Sequence, residues 1–479
     1  MPPALVVVAV LAFRLVNSLT LATFFQPDEF YQTFEPAYVR VFGKGILTWE
    51  WKRGIRGCLV PLIYSYIFRA ADALGMDIIV ACKLFQGTLA AIADLATYRL
   101  ATQLVSPQAA KYALAASVFS AFNYFCGPRP FANTFEMVFT PVALCFWPWH
   151  RFSMKSFVVA SIFAHVAIIL RPTNALLWIS LGIHLLLRSP FRKKPTIILV
   201  STGLAVAMHG ADFLLDNWFY GFQVWPLWSF VEANIGESVS HYYGVMSTSF
   251  YFVSGLPLLL VGYTPIVVLG LVSRSFLSII VLLQLLVYTL FAHKEVRFIY
   301  FLLPLLHIIF ATKLTRLKNA KKLFIACVLV NLVVASYLSY SFQRGVMDVA
   351  AYIRQTPEID TVNFLMPCHS VPGYAHFHRS APLSIEMLTC EPPIMVPIAD
   401  RDTYVDEADQ FYANPAGFLK QHPEKLSSTI VIFESLVDSI QSVLENYELD
   451  ARFFNSHFHG DYRRKGDVLV FKQKSVVDG

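Results

Sequence analysis

Apolar residues run in blocks along the first three quarters of the chain, and short polar joints separate them. The blocks fall at 3–25, 78–103, 108–126, 133–150, 156–170, 174–188, 196–215, 252–272, 275–292, 296–314 and 321–342. A helix of about 20 mostly apolar residues is long enough to cross a bilayer. Lipid offers no partner for backbone N–H and C=O groups, so each such block should be helical. The pattern predicts about eleven membrane spans, each near the length a bilayer requires. Segment 58–74, CLVPLIYSYIFRAADAL, is short and carries Pro61, Arg69 and Asp72, so it reads as a re-entrant or interfacial helix.

Beyond about residue 344 the pattern changes. Short β-like runs occur at 362–366, 429–433 and 468–471, with helical periodicity over 435–447. The chain thus divides into a membrane domain, 1–343, whose loop 26–57 holds interfacial helices, and a small soluble α/β domain, 344–479.

Composition sharpens this picture. The chain is 56% hydrophobic and 15% charged, where soluble domains carry about a quarter charged residues. That excludes an ordinary globular enzyme. A net charge of +6 without a basic run gives no footprint for nucleic acid. The first apolar block lacks a basic leader, so it reads as a retained span and not a cleaved signal. Seven cysteines, mostly inside apolar blocks, do not make a disulfide scaffold. Cys368 and Cys390 both fall in the tail. An oxidising compartment would permit a bond between them, and free thiols are the alternative.

Lysine and arginine concentrate in alternate joints: Arg99 to Lys111, Arg151 to Lys155, Arg188 to Lys194, Arg274, and Lys313 to Lys322. The positive-inside rule places these in the cytosol. The loops 26–57, 127–132, 171–173, 216–250 and 293–295, with the tail, then face the lumen or exterior. Lys52, Arg53 and Arg56 lie on that side against the rule, which invites a functional explanation.

The candidate chemistry sits in those joints. Asp28 and Glu29 follow Pro27 directly after the first block. Acids are favoured at helix starts, so capping is the plain reading. The functional reading is a general base at the membrane surface, taking a hydroxyl proton as a new bond forms. Trp49 and Trp51 suit a membrane–water boundary. Lys52, Arg53 and Arg56 suit a lipid phosphate, or simply anionic head groups. His293-Lys-Glu-Val-Arg-Phe298 crowds charge into a short joint, costly at membrane depth unless paired or wet. Lys294 and Arg297 are candidates for a leaving phosphate, with Glu295 orienting one of them. An ordinary tight turn is the alternative. Arg171-Pro-Thr-Asn174 is a ligand contact or a helix start capped near Pro172. Asp216-Asn-Trp-Phe-Tyr-Gly221 opens an aromatic loop suited to sugar stacking or to an interfacial helix. The tail histidines 369, 376, 378, 457 and 459 match no zinc spacing and read as surface residues.

Taken together, these segments resemble the dolichyl-phosphate-mannose-dependent mannosyltransferases of GT-C type. Pro27-Asp28-Glu29 resembles their luminal acid motif. His293-Lys-Glu-Val-Arg-Phe298 and Asp216-x-x-Phe-Tyr-Gly221 resemble glycosyltransferase family 22. Thr48-Trp-Glu-Trp-Lys-Arg-Gly-Ile-Arg56, and Leu365-Met-Pro-Cys-His-Ser370 with Pro372-Gly373, resemble the branch that adds the third mannose to the glycosylphosphatidylinositol (GPI) precursor. Departures are Gln26, where several members have His, and Val371 before Pro372, where the group usually has Thr.

The resemblance implies a GT-C helical bundle in the endoplasmic reticulum membrane, with the active site and tail luminal. It implies an inverting transfer of mannose from dolichyl-phosphate mannose to the second GPI mannose, forming an α-1,2 linkage. By position, Asp28 becomes the catalytic base and Glu29 a second acid or positioning group. Arg56, Lys294 and Arg297 become donor phosphate contacts. Lys52, Arg53, Trp49, Trp51, Arg171, Asp216, Tyr220, His293 and Glu295 become substrate-binding or supporting residues. The donor is already activated as a phosphate ester, so no metal or cofactor is expected. The implied partners are dolichyl-phosphate mannose, the mannosylated GPI acceptor and the bilayer; nucleic acid is not expected, and protein partners stay open. Other mannosyltransferases of N-glycan or GPI assembly are the near alternatives. A lipid transporter or flippase is the different-class one; it predicts internal repeats and midplane charges, where this chain has polar joints at span ends.

Overall fold

A computed structural model of the chain describes residues 2–236, 239–394, 396 and 398–474. Its contacts fall into two compact units. One is Met1–Leu21 with Arg53–Ser336; the other is Ala22–Lys52 with Tyr337–Gly479. The sequence division attached 26–57 to the membrane part, whereas the structure groups 22–52 with the tail.

The first unit is a helical bundle. Helices occupy the apolar blocks: Ala4–Thr20, Ile78–Leu104, Pro107–Val118, Ala132–Phe146, Met154–Leu170, Ala175–Arg188, Lys194–Tyr220, Phe276–Thr289, Leu303–Leu314 and Ala320–Tyr340, the last running into the other unit. Segment 58–74 is also helical, over Leu59–Ala73. Among the described residues, five helical runs are long and apolar enough to cross a membrane: Ile78–Leu104, Phe191–Tyr220, Tyr251–Leu271, Val296–Leu314 and Ala320–Gln355. Polar side chains set several starts. Asp77 accepts from the amides of Ile79 and Val80, and Ser106 from that of Ala109, satisfying donors a helix leaves open.

Leu303–Leu314 is largely apolar and is buried from Leu303 through Ala311 and at Leu314, as a central helix must be over most of its surface. Beside it lies a buried polar knot. Arg14 Nε meets Asp94 Oδ2 at 2.6 Å and Arg14 Nη2 meets Asp94 Oδ1 at 3.1 Å. Ser117 Oγ donates to the same carboxylate at 2.6 Å, and Arg14 Nη2 donates to the Ser117 carbonyl at 3.0 Å. Tyr300 Oη donates to Asn123 Oδ1 at 2.9 Å, and Asn123 in turn donates to Ser117. The knot ties Ala4–Thr20, Ile78–Leu104 and Pro107–Val118 together.

The second unit is α/β. Its strands are β1 (Thr361–Phe364), β2 (Ser384–Met387), β3 (Thr429–Phe433), β4 (Tyr447–Phe453) and β5 (Val468–Gln473), in the order β2-β1-β3-β5-β4. β1 pairs parallel with β2 and β3, while β5 pairs antiparallel with β3 and β4. All five residues of β3 are buried, the continuous apolar run expected of a covered central strand. Phe411, Leu419, Leu436 and Ile440 pack over Ile430, Ile432 and Leu469.

Residues 22–52 are built into this unit. Phe24 N donates to Gln343 O at 3.2 Å and Thr23 Oγ1 to Leu338 O at 2.7 Å. After a turn at Pro27 a helix begins at Asp28, runs through a π-helical stretch at Phe30–Phe34 and continues as Glu35–Phe42. It ends at Gly43, whose φ of 71° is the left-handed cap that glycine accepts without strain.

Candidate active site

The sequence-derived site residues fall into two sets, one in each unit.

In the α/β unit, the turn at Pro27 leads into the helix that carries the acids. Glu29 is buried, and its Oε1 accepts from the amides of Phe25 at 3.0 Å and Gln26 at 3.3 Å. That is a capping role, so this carboxylate is committed to the turn. Asp28, its neighbour, is half-buried. It lies within electrostatic reach of His369. Burial pushes the His369 imidazole down to about 4, against the opposing pull of Asp28. His369 stacks edge-on to Tyr31 at 4.4 Å and takes a left-handed φ of 57°. Beside it, Cys368 and Cys390 form a disulfide.

The reading of surface histidines fails for three of the five. His369 packs on Tyr31, His376 on Phe30 and Phe34, and His378 on Tyr38 and Phe42. Aromatic positions in 30–42 call for flat partners, and imidazole supplies them. Trp51 is buried too. Its indole N–H donates to Tyr31 O at 2.9 Å, so it finds its partner inside the protein instead of at a bilayer boundary. Trp49 is half-buried, and Lys52 pairs with Glu391 at 3.2 Å on the surface.

In the helical unit, the joint at 293–298 forms a charged cluster. Arg297 grips Glu295 with two bonds, Nε to Oε2 at 2.7 Å and Nη2 to Oε1 at 2.8 Å. His293 Nε2 reaches Glu295 Oε1 at 3.2 Å, and its Nδ1 reaches Gly244 O at 3.0 Å. Burial works against the ionised Glu295, but Arg297 and His293 outweigh it and hold the carboxyl well below its usual range. Lys294 is buried, with Nζ donating to Met246 O at 3.0 Å.

Arg171 lies over the Phe298 ring at 5.1 Å, and Arg297 lies over the same ring at 5.5 Å. Arg171 also feels the charges of Arg56, Arg297 and Glu136. Its Nε is 3.8 Å from Glu136 Oε2, too far for a hydrogen bond. Both atoms are buried and neither has a hydrogen-bond partner among the described residues. Three arginines therefore gather in one region of this unit, and the carboxylates beside them are Glu136 and Glu295. Such an arrangement can hold an oxyanion such as a phosphate.

Asp216 and Tyr220 support the Arg56 segment. Asp216 Oδ1 accepts from Cys58 N at 2.8 Å, and Tyr220 Oη donates to Arg56 O at 2.7 Å. Arg53 lies in the same stretch, half-buried. Sequence reasoning missed Glu136 and Asn133, and took in Asn174 only as the end of the Arg171 joint. Asn174 Nδ2 donates to Glu136 Oε1 at 2.9 Å, and Asn133 Nδ2 donates to Arg297 O at 3.1 Å. A signal was present, because Glu136 is an acid in the middle of an apolar block, and an ionisable group there marks function by default.

Comparison with known proteins agrees with this architecture. The Alg9-like mannosyltransferase family matches residues 5–378. GPI mannosyltransferase 3 of Yarrowia lipolytica is 40% identical, covering 97% of this chain and 96% of its own. GPI alpha-1,2-mannosyltransferase 3 of Danio rerio is 32% identical, covering 98% and 90%. Among solved structures, ArnT from Cupriavidus metallidurans bound to undecaprenyl phosphate has a TM-score of 0.60 at 12% identity, covering 99% of this chain and 98% of its own. The Archaeoglobus fulgidus oligosaccharyltransferase has a TM-score of 0.52 at 11% identity, covering 98% and 76%. These two likenesses establish a GT-C-type fold. The chain is a multi-pass membrane glycosyltransferase and belongs to the Alg9-like mannosyltransferase family.

Proposed function

We propose that this enzyme transfers mannose from dolichyl-phosphate mannose to the 2-hydroxyl of the second mannose of the GPI precursor, at the luminal face of the endoplasmic reticulum membrane. The observation that carries the reading is likeness along nearly the whole chain to relatives named GPI mannosyltransferase 3, from 40% identity in Yarrowia lipolytica to 28% in Saccharomyces cerevisiae, each over at least 96% of the chain.

The chemistry follows from the residues. Asp28 accepts the acceptor hydroxyl's proton as oxygen attacks the mannose C1, and phosphate leaves from the opposite face. A β-linked donor then gives an α-linked product. Glu29, held by its two backbone amides, fixes the turn beside Asp28. Arg56, Lys294 and Arg297, joined by Arg171, hold the donor phosphate and stabilise the charge that grows on it. Glu295 keeps Arg297 aimed. The chemistry does not call for a metal, because the leaving group is already a phosphate. ArnT, bound to undecaprenyl phosphate, supports a lipid-phosphate donor. The Cys368–Cys390 disulfide supports a luminal tail, since such bonds persist in oxidising compartments.

The test is in vitro transfer in microsomes lacking the native activity. The chain is supplied with radiolabelled dolichyl-phosphate mannose and a two-mannose GPI acceptor. A three-mannose product is expected. Asp28→Asn should lower the rate about a hundred- to ten-thousandfold, the usual contribution of a general base. No three-mannose product from the unaltered chain would overturn the assignment, and full activity in Asp28→Asn would remove Asp28 from the mechanism.

A further inference from the structure

Glu35 lies seven residues beyond Asp28 on the same continuous helix, and it has no exposed surface. A carboxylate so placed normally has a cation beside it. Here the groups that meet it are backbone amides. Its Oε2 accepts from Ile46 N at 2.9 Å and its Oε1 from Ala375 N at 3.0 Å. The Tyr374 amide acts on it as well. One contact comes from the turn after the helix, and the others from the segment that follows the disulfide cysteine Cys368.

The backbone is shaped to let this carboxylate in. A Cβ on Gly373 would stand 2.2 Å from Glu35 Cδ, and one on Gly45 would stand 3.3 Å from Glu35 Oε2. The segment bearing the Ala375 amide could not approach as closely with a side chain at position 373. The Pro372-Gly373 pair singled out in the sequence thus has a physical use, as the close-approach point for Glu35.

The same tail segment lines the helix above and below. Tyr31 Oη donates to Val371 O at 3.0 Å, and the His376 ring packs on Phe30 at 4.9 Å. Those contacts are broad and tolerate sliding. A helix that rotates by one residue turns about 100°, which would carry Asp28 out of its orientation while leaving much of the aromatic packing in place. A carboxylate with its two oxygens bonded to two different chain segments prevents both rotation and translation. Burying it carries a cost: desolvation pushes the Glu35 carboxyl up to about 7, even though three backbone amides favour its anion.

We propose that Glu35 is a positioning residue for the acid loop, clamping the Ile46 and Ala375 amides so that the helix bearing Asp28 is locked in the register used for transfer. The inference rests on the proposed role of Asp28. Glu35 itself touches no substrate in this account.

The test is a double-mutant cycle on the full chain in detergent, with dolichyl-phosphate mannose and a two-mannose GPI acceptor. Glu35→Gln keeps the shape but turns an amide NH2 toward one of the two N–H donors. It should lower kcat about a hundredfold, the scale of a misplacement near 1 Å, with the donor KM within about threefold. Gly373→Ala should do the same. Because the two changes disrupt one contact, Glu35→Ala combined with Gly373→Ala should be no slower than Glu35→Ala alone. Folding is read by counting alkylatable thiols after denaturation, five when the Cys368–Cys390 bond has formed and the other cysteines are free. Multiplicative losses in the cycle, a proportionate rise in donor KM, or seven reactive thiols in Glu35→Gln would each overturn the positioning role. Failure of the underlying reading is distinguishable: Asp28→Asn would then keep full activity whatever the cycle shows.

Discussion

The Arg14–Asp94 knot permits a prediction in which the sign of the effect is as informative as its size. Arg14 makes five hydrogen bonds: two to Asp94, one to Asn17, and two to the carbonyls of Ser117 and Asn123. Both charged side chains are 1% exposed. Asp94→Asn changes almost no volume but removes the counter-charge, leaving a buried guanidinium facing neutral groups. Breaking a buried pair in this way costs about 3–5 kcal/mol. For a protein of this size that lowers the melting midpoint by roughly 3–5 °C. Replacing both partners is different in kind. Arg14→Met combined with Asp94→Asn leaves no uncompensated charge, and such paired replacements are often neutral or better, by about 1–4 kcal/mol. The double variant should therefore melt above Asp94→Asn alone. Thermal unfolding of the detergent-solubilised chain, followed by intrinsic tryptophan fluorescence, gives the three midpoints. A double variant that melts no higher than Asp94→Asn would show that the knot contributes through its hydrogen bonds and shape, and would refute the charge argument.

Three further outcomes follow from the same structure. Cys368→Ala opens a loop closed across a separation of 22 residues and should cost about 3 kcal/mol; hydrogen exchange across 361–474 should accelerate, and unchanged exchange would mean the bond is dispensable. The pH dependence of the α/β unit should differ between wild type and Glu35→Gln. Burial lifts the Glu35 carboxyl from its ordinary 4.5 to about 7 in the folded chain, so its contribution is full below about 4.5 and is lost as pH rises through about 7, in total about 3 kcal/mol. His369 acts oppositely, since its folded value of about 4 lies below 6.5 and its stabilisation is lost as pH falls toward 4. Subtracting the Glu35→Gln melting profile from that of wild type isolates the first slope, and a flat difference from pH 5 to 7.5 would contradict it. Tyr220→Phe removes the bond to Arg56 O, worth about 1 kcal/mol. Donor KM should rise about fivefold, and an unchanged KM would show that the Arg56 segment is held elsewhere.

The helices were readable because their signal is local. Apolar blocks at 78–103 and 133–150 appear as Ile78–Leu104 and Ala132–Phe146, and even the ambiguous 58–74 is helical. β3 was visible as five consecutive β-formers. By contrast, β2 and β4 escaped notice. β4 exposes Glu448, Leu449 and Asp450 in succession and is interrupted by a bulge between Leu449 and Ala451, so alternation is lost. Most of what escaped depends on distant pairing. Nothing near Glu35 in the sequence marks it as buried, because its partners lie at Ile46 and Ala375. Trp51 and the three packed histidines were misplaced for the same reason. In the charged joint, Glu295 and Arg297 are two residues apart, so their pairing could be anticipated. The Glu136–Asn174 contact joins two helices and could not.

That pairing of early with late residues bears on how the molecule is made. The hydroxyl of Tyr31 is fastened to a carbonyl 340 positions downstream. A ribosome adding about 5–20 residues each second needs roughly 20 s to a minute to cover that distance. Throughout that interval a nascent segment rich in Phe and Tyr has emerged without the surface it will cover. It must be shielded by lipid or by a chaperone until the last strands arrive, and any premature stop codon ahead of residue 371 would leave the segment bearing the acid pair without its template.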